Sequence, residues 1–490
     1  MNTDFNYLGA GFFLMYLILM LSIGWFASRR QKTSEDFLVA GRQFGLWTLV
    51  LANVAAMLHG GAILSHMALS AQMGGVVATA NISYVLGFAM ILFFYAKKLR
   101  NSKGITLPDY MGERFDSRLL QGWSACIVVF TSILVLVGQI KVMGYLFEAL
   151  VGLPIFWGQL IGTLIFVAYV SMGGLLAVVW TNIAQFFLMW MGILLIWPVV
   201  YQAVGGWSDV LLTVEQVAPG WTSIKGVQWN WGFVLSWYIL VFVAYSTRIE
   251  LVTKLFAARD ERVARFSVPW TALLIMLFLV YIGIYLGGAA RILVWDQIST
   301  PDQAFPALVA MLAGPWLSAF ALTAVASATM STTDSLLLMS GAAVSHDLIR
   351  KCIHKKKGIK RPDTYYLKIS RITILVIGIF AFLISLTKIG LIWEIISYSL
   401  AIVGSAIFFP LTIGLISWRM SREAAIVSSM GGVLVAIIWM ILSISGIPWA
   451  LLVHPVLPGL FASGIGLFST QCFTGPVSRD ALKNYFPELA

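Results

Sequence analysis

Residues 50–74 read VLANVAAMLHGGAILSHMALSAQMG. The stretch is long and apolar enough for a membrane-spanning helix, which needs about 20 residues. However, His59, Gly60 and Gly61 interrupt it near its middle. Backbone that breaks a helix at membrane depth is tolerated only where it lines a cavity or is buried in protein. The stretch therefore predicts a broken membrane helix inside a helical protein.

A second stretch, residues 239–258, has the same character. It reads ILVFVAYSTRIELVTKLFAA and carries Ser246, Thr247, Arg248 and Glu250 inside an apolar run. Each interrupted stretch opens a block of five predicted helices, and the two blocks start on opposite sides of the membrane. Paired interruptions in inverted halves are typical of secondary transporters, whose substrate and ion sites lie at such breaks.

The composition supports a membrane protein with many spans. The chain has 490 residues, of which 60% are hydrophobic and 11% charged, and its mean hydropathy is +0.89. Soluble domains carry about 25% charged residues, so a soluble enzyme, a disulfide-rich secreted protein and a disordered chain are excluded. Three scattered cysteines follow no disulfide or metal-binding spacing.

The hydropathy pattern predicts an all-α polytopic membrane protein with about thirteen transmembrane helices. The predicted spans lie near 7–27, 45–70, 74–96, 122–146, 155–173, 180–203, 230–253, 266–290, 316–345, 369–390, 393–416, 425–445 and 449–470.

Most of the 32 Lys and Arg residues fall in the loops after the odd-numbered spans and in the tail. Because basic residues collect on the cytoplasmic side, we expect the N-terminus outside and the C-terminus in the cytoplasm. We expect the chain to be a multi-pass protein of a bacterial inner membrane. The net charge of +11 therefore reflects topology, and we expect the partners to be the lipid bilayer and a small solute, with no nucleic acid.

Three further stretches carry a family resemblance. Residues 169–185 read YVSMGGLLAVVWTNIAQ, residues 328–338 read ATMSTTDSLLL, and residues 254–261 read KLFAARDE. In this order, and with this topology, they resemble the motifs of the sodium:solute symporter family. That family includes bacterial proline, pantothenate, sugar and sialic acid transporters.

The resemblance implies a leucine-transporter-type fold with a 5+5 inverted repeat. It implies a first helix and loop in residues 1–44, inverted repeats in 45–203 and 230–416, and two additional helices with a tail in 417–490. Uptake would be driven by an inward Na⁺ gradient, which makes Na⁺ the coupling ion.

The resemblance also implies a sodium site between spans two and nine. Its ligands would be the carbonyls of Ala55, Leu58 and Ala328 and the hydroxyls of Ser331 and Thr332. In a helix, positions 328, 331 and 332 share one face, and a hard cation prefers oxygen ligands. The alternative is that these hydroxyls bond back to the preceding turn or join neighbouring helices.

Three sites depart from the family pattern, and the first is Thr247-Arg248 in span seven, where the family usually has Gly-Gln. Asn182 stands where the family has an aspartate near the cytoplasmic exit of sodium, which keeps proton coupling open as an alternative. Met57 replaces an acidic residue of the proline transporters, which argues against proline as the solute.

Polar residues inside the predicted spans mark the solute site, because ionisable groups in a bilayer are costly and usually functional. The predicted solute-binding residues are His59, Gly60, Gln139, Lys141, Arg248 and Glu250. Alternatives exist for several of them: Arg248 would pair with Glu250 if the backbone is unwound, Lys141 would extend to the interface, and His59 would be structural.

The predicted function is sodium-coupled symport of a small, anionic solute. An organic acid, a vitamin or an amino-acid-like carboxylate fits the excess of buried cations. A membrane enzyme using His59 would need a second catalytic group, which the sequence does not offer, so we expect no enzymatic activity. A transporter-like membrane sensor is a further alternative.

Overall fold

The computed structural model describes residues 6–29, 42–102, 104–387 and 390–486. The first helices are α1 (Tyr7–Ser28), α2 (Leu46–Met57), α3 (Gly60–Met73), α4 (Val76–Thr79), α5 (Ile82–Met90), α6 (Ala96–Asn101), α7 (Leu107–Arg114), α8 (Arg118–Val151), α9 (Ile155–Leu194), α10 (Trp197–Val204) and α11 (Trp207–Val217).

The remaining helices are α12 (Trp231–Ser246), α13 (Ile249–Phe256), α14 (Glu261–Val280), α15 (Gly287–Leu293), α16 (Ala304–Leu312), α17 (Pro315–Ala342), α18 (Lys355–Lys357), α19 (Asp363–Ser385), α20 (Ile392–Ile416), α21 (Arg422–Ile444), α22 (Val456–Gln471) and α23 (Arg479–Leu482). The π-helical turns are Ile91–Tyr95, Tyr281–Leu286 and Ala343–His354, and the 3₁₀ turns are Trp295–Gln297, Pro301–Gln303 and Ala450–Leu452. Within the described ranges, the only β-type pairing is an isolated bridge between Phe44 and Ala258.

All of the thirteen predicted ranges contain helix, but fewer helices are long and apolar enough to cross a membrane. In the described part of the chain nine meet that standard, or ten if α2 and α3 form one bent span. The other predicted spans are short (Ile155–Ala168 and α22), or are made polar by serine and threonine (α17). The all-helical membrane class is therefore confirmed, whereas the count of thirteen remains a prediction.

The predicted fifth and sixth spans are joined without a loop. They form one continuous run, α9, which turns sharply at Gly174, where φ is 51° and ψ is −164°. Residues other than glycine rarely adopt a positive φ, so this glycine of the YVSMGGLLAVVWTNIAQ stretch allows the turn. The motif thus has a structural role at a helix corner.

Helix α17 lies at the centre of the molecule. Every residue from Ala321 to Ala343 is buried, and α17 packs against α1, α8, α9 and the broken pair α2 and α3. A helix enclosed by protein on all sides does not face lipid, so it tolerates many hydroxyl side chains that a lipid-facing helix does not. This position brings the ATMSTTDSLLL stretch against the first break.

Candidate functional site

The first break lies between α2 and α3, whose axes are bent by 54°. Leu58 (φ −90°, ψ 66°) and His59 (φ −80°, ψ 160°) leave the helical region of backbone conformation. His59 Nδ1 accepts a hydrogen bond from the Ala62 amide at 2.8 Å, which satisfies one of the donors that a helix start leaves unpaired. The predicted interruption is thus confirmed, and His59 caps the second half-helix.

Gln139 of α8 holds this break from the side. Its Oε1 accepts from the Gly61 amide at 3.2 Å, and its Nε2 lies 2.9 Å from His59 Nδ1. Because the Gly61 amide requires an acceptor, Nε2 is the donor to the histidine. His59 Nδ1 therefore accepts two hydrogen bonds, and a neutral His59 carries its proton on Nε2.

Gly60 lets α3 approach α17 closely. A Cβ at this position would overlap Thr329 Oγ1 and would lie 2.9 Å from the carbonyl oxygen of Val325. Real Cβ atoms do not come so close, so a larger residue would push the two helices apart. The structure therefore gives Gly60 a packing contact with α17.

The hydroxyls of α17 meet the carbonyl groups at the end of α2. Ser331 Oγ donates to the Ala55 carbonyl and lies equally close to the Ala328 carbonyl, at 2.7 Å each. Thr332 Oγ1 donates to the carbonyl of Ala56 at 2.5 Å, a residue that the predicted ligand set did not include. Both side chains are fully buried. Hydroxyl and carbonyl oxygens from two helices thus converge in a site without fixed charge.

The second break lies between α12 and α13. Thr247 (φ −110°, ψ 14°) ends α12, and the extended Arg248 (φ −60°, ψ 111°) precedes α13. Arg248 Nε lies 3.2 Å from Glu250 Oε2, and the two side chains are 5% and 6% exposed. The ion pair that requires an unwound backbone is therefore present. Its Nε–H is not aligned for a hydrogen bond, so the contact is mainly electrostatic.

A cavity of about 600 Å³ lies between the two breaks. His59 and Arg248 line it from the breaks themselves. Aliphatic side chains form about half of its wall, and His66 and Ser397 add polar groups. We call it the aromatic cavity after four further lining residues, Tyr84, Tyr245, Trp237 and Trp393. A mostly apolar cavity with a few convergent polar groups is typical of small-molecule sites.

Two further cavities continue the path. One, of about 360 Å³, shares Arg248 with the first cavity and also contains Glu250, Thr131 and Ser399. The other, of about 520 Å³, starts at Glu250 and ends at Asp347. We call these two further cavities the passage; it is lined by Glu250 and by residues of α17. The ion pair at the second break thus lies between the aromatic cavity and the passage.

Most of the predicted solute-binding residues lie near the two breaks, and Lys141 does not. His59 and Arg248 line the aromatic cavity, Glu250 lines the next two cavities, and Gln139 acts on His59. Lys141 is half-buried, and its Nζ lies 3.5 Å from the Gly390 carbonyl, outside the lining of all three cavities. The structure therefore brings His59, Gln139, Arg248 and Glu250 together and leaves Lys141 at the periphery.

Sequence reasoning overlooked several buried polar groups around the first break. Asp334 is fully buried, and in the described part of the chain neither carboxylate oxygen has a hydrogen-bond partner. Lys254 Nζ and Asn182 Nδ2 both approach the Ala52 carbonyl, at 3.3 and 3.4 Å. A carboxylate inside a predicted span was the available signal for Asp334. No local signal brings Lys254 to Ala52, because the two are far apart in sequence.

Comparison with known proteins gives the same family from independent data. The model of the sodium:solute symporter family matches residues 37–432. The high-affinity proline transporter PutP of Bacillus subtilis is 26% identical over 94% of this chain and 97% of its own. The sodium/proline symporter of Escherichia coli is 25% identical over 93% of this chain and 91% of its own.

A solved structure of a Na⁺-coupled sialic acid symporter, in a substrate-bound outward-open state, resembles the whole chain. Its TM-score is 0.79 at 18% sequence identity, and the superposition covers 97% of this chain and 99% of that one. At this level of identity the likeness shows the fold. The predicted leucine-transporter-type fold is therefore confirmed, whereas the 5+5 division and its boundaries remain predictions.

Proposed function

The chain belongs to the sodium:solute symporter family, and from this premise we propose that it moves an amino-acid-like carboxylate across the membrane together with Na⁺. The observation that carries the proposal is the contact of Ser331 and Thr332 with carbonyl groups at the first break. The second break and the aromatic cavity beside it form the proposed solute site. The protein acts as a transporter and has no enzymatic role.

The proposed sodium ligands are the carbonyl oxygens of Ala55, Leu58 and Ala328 and the hydroxyls of Ser331 and Thr332. Ser331 Oγ already lies 2.7 Å from both the Ala55 and the Ala328 carbonyl oxygens. In the described residues no turn or side-chain hydrogen bond reaches the Leu58 carbonyl, so it is available to an ion. The C-terminal end of α2 adds a partial negative charge, and half-helix ends of this kind commonly coordinate Na⁺.

The charge of the cavity favours a zwitterion over a net anion. Arg248 and Glu250 neutralise each other, so an added anion would leave one negative charge unbalanced. A zwitterion instead offers its carboxylate to Arg248 and its amine to Glu250. Aromatic faces such as those of Tyr84 and Trp237 attract a primary or secondary ammonium group as well. Proline, which the names of the relatives specify, is the first solute to test, against the expectation drawn from Met57.

Uptake into proteoliposomes tests the proposal. With an inward Na⁺ gradient, we expect concentrative uptake of radiolabelled proline or another small amino acid, and no uptake when K⁺ replaces Na⁺. A zwitterion carried with one Na⁺ moves one net charge, worth about 2.3 kcal/mol per 100 mV, so an inside-negative potential should accelerate uptake. Transport of a neutral sugar, or uptake indifferent to Na⁺, would refute the proposal.

Proton coupling is the second candidate, and Asp334 is the observation that favours it. A buried carboxylate without a partner is costly when charged, so a proton bound to Asp334 is the coupling species in this candidate. The two candidates differ in their driving force. If uptake is coupled to protons, a pH gradient without Na⁺ drives it. If uptake is coupled to sodium, the same gradient does not.

We also propose the orientation that the basic loops predict. The N-terminus lies outside, the C-terminus is cytoplasmic, and residues 45–203 and 230–416 form the two inverted repeats of a multi-pass inner-membrane protein. Both chain ends fall outside the described residues, so the support comes from the loop charges and from the family of membrane transporters. A reporter fused after Ala490 should be active in the cytoplasm, and external activity would overturn this orientation.

A further inference from the structure

A cluster of polar side chains lies at the far end of the passage that begins at Glu250. It joins α7 to the π-helical turn Ala343–His354, which continues α17. Thr106 Oγ1 lies 2.9 Å from both carboxylate oxygens of Asp347. Gln121 Nε2 lies 3.1 Å from Asp347 and 3.4 Å from Asp109. The two buried carboxylates are thus held side by side by neutral donors.

His346 completes the cluster. One ligand atom each from Asp109, His346 and Asp347 lie within 4.8 Å of one another. The three residues are 2%, 5% and 0% exposed, respectively. His346 Nε2 points at Asp109 Oδ2 from 3.6 Å, and within the described residues it has no hydrogen-bond partner. A buried ring nitrogen therefore faces the Asp109 carboxylate without a hydrogen bond to it.

The charge of this cluster is not balanced. Lys351 contacts Asp109 at 3.1 Å and Glu113 at 3.2 Å, from the more exposed edge. One lysine therefore serves two carboxylates, and in the described part of the chain the hydrogen-bond partners of Asp347 are the neutral Thr106 and Gln121. Asp109 and Asp347 are both buried, so the two carboxylates repel each other when both are charged. A bound cation would relieve this repulsion.

We propose that Asp109, His346 and Asp347 form a binding site for Zn²⁺. An imidazole nitrogen with carboxylate oxygens is a common zinc ligand set, and a nitrogen ligand disfavours Mg²⁺ and Ca²⁺, which take oxygen. Ligand atoms of a tetrahedral zinc site are about 3.4 Å apart, given bonds of about 2.1 Å. Because the ligand atoms lie within 4.8 Å of one another, each pair must close by at most about 1.4 Å to reach this spacing, and water takes the fourth position.

The location indicates what the ion does. Asp347 and Thr106 line the last cavity of the passage, together with Ser335 and Lys254. Zinc would fasten α7 to the extension of α17, the helix that carries Ser331 and Thr332, and so hold this end of the passage closed. This second part rests on the proposed transport function, whereas the binding of zinc does not.

Zinc binding is measured by isothermal titration calorimetry on the tag-free, full-length protein after treatment with a chelator. Cys126, Cys352 and Cys472 are free and are replaced by serine so that no thiolate binds the ion. We expect one Zn²⁺ per chain with a micromolar or lower Kd, and weak or no binding of Mg²⁺. Absence of stoichiometric Zn²⁺ binding would overturn the proposal.

Matched variants locate the site. His346→Gln and Asp347→Asn should each weaken Zn²⁺ binding by at least about 10-fold. His354→Gln is the control, because His354 lies in the same π-helical turn but bonds to Tyr366 Oη at 3.0 Å. Its Kd should equal that of the parent. An unchanged Kd in His346→Gln would refute the assignment even if Asp347→Asn failed to fold.

The effect on transport is tested separately in proteoliposomes loaded with Zn²⁺ or with chelator. We expect Zn²⁺ to slow uptake by the parent and by His354→Gln, and to slow uptake by His346→Gln far less. Equal inhibition of both histidine variants would refute the closing role. If no solute is transported at all, the function proposed above fails, and the calorimetric result for zinc stands by itself.

Discussion

The two helix breaks expose different chemical groups. At the first break, between Leu58 and His59, the polar groups are carbonyls and hydroxyls, and none has a fixed charge. At the second, Arg248 and Glu250 form an ion pair. Neutral oxygens suit an inorganic cation, because they replace the water molecules of its hydration shell without adding a negatively charged side chain. A flexible ion pair suits a charged organic solute, because the solute exchanges one salt bridge for another.

The two breaks are also supported differently. The first is held by its own cap and by Gln139 from a neighbouring helix. At the second, Arg248 precedes α13 without a side-chain cap, so the first amides of that helix remain available. We therefore expect substitutions at the first break to destabilise the protein. Substitutions at the second break should mainly change solute affinity.

The largest effect should follow the loss of both hydroxyls at the first break. Each contact between a hydroxyl and a charged group contributes about 1.5–3 kcal/mol. The double variant Ser331→Ala, Thr332→Ala should therefore raise the Na⁺ concentration for half-maximal uptake by about 100-fold or more. Thr333→Ala is the matched control, because Thr333 bonds back to Thr329 in the same helix. An unchanged Na⁺ dependence in the double variant would remove the sodium assignment.

Arg248→Gln should give the next largest effect, and on the solute rather than on sodium. Removing one partner of a buried charge pair costs about 2–5 kcal/mol, so solute affinity should fall by at least about 30-fold, whereas Na⁺ binding stays measurable. Arg248→Gln alone leaves Glu250 without its ion-pair partner, which should lower expression. The double variant Arg248→Gln, Glu250→Gln removes that unpaired charge, so it should express normally but should not regain solute affinity. Wild-type affinity in either variant would exclude Arg248 as a solute ligand.

Gly60→Ala tests whether the first break depends on the close approach to α17. The added Cβ overlaps Thr329, and overpacking of this kind costs about 1–3 kcal/mol, which should lower the melting temperature in detergent. Gly431→Ala in α21 is the control, because it meets no atom within 4 Å and should be neutral or stabilising. Equal melting temperatures for both variants would mean that the helices have room to move apart.

Gln139→Ala should have the smallest effect of the four. It removes the hydrogen bonds to His59 and to the Gly61 amide, each worth about 0.5–1.5 kcal/mol. We expect a modest loss of thermal stability together with weaker Na⁺ activation, because the carbonyl groups at the break lose their support. Gln72→Ala in α3 should change neither, since Gln72 Oε1 accepts no hydrogen bond in the described residues. A loss of stability alone would limit Gln139 to a structural role.

Much of the site could be predicted because its signals are local. The breaks follow from polar residues inside apolar runs, and the Arg248–Glu250 contact follows from their spacing of two once the helix is unwound. The contact of Thr332 with Ala56 instead of another carbonyl depends on the relative rotation of two helices. Likewise, Lys141 looks like a cavity residue from its span, but its position along the helix directs it to the periphery.

The sequence by itself determined the all-helical membrane class, the places where helices break and the family, because each is encoded within a window of about 20 residues or in a motif. Only the tertiary structure decided which groups meet: Gln139 with His59, Thr332 with Ala56, and Asp109 with His346 and Asp347. These partners are separated by tens to hundreds of residues. Their distances are set by how whole helices pack, and no local pattern of the sequence records that packing.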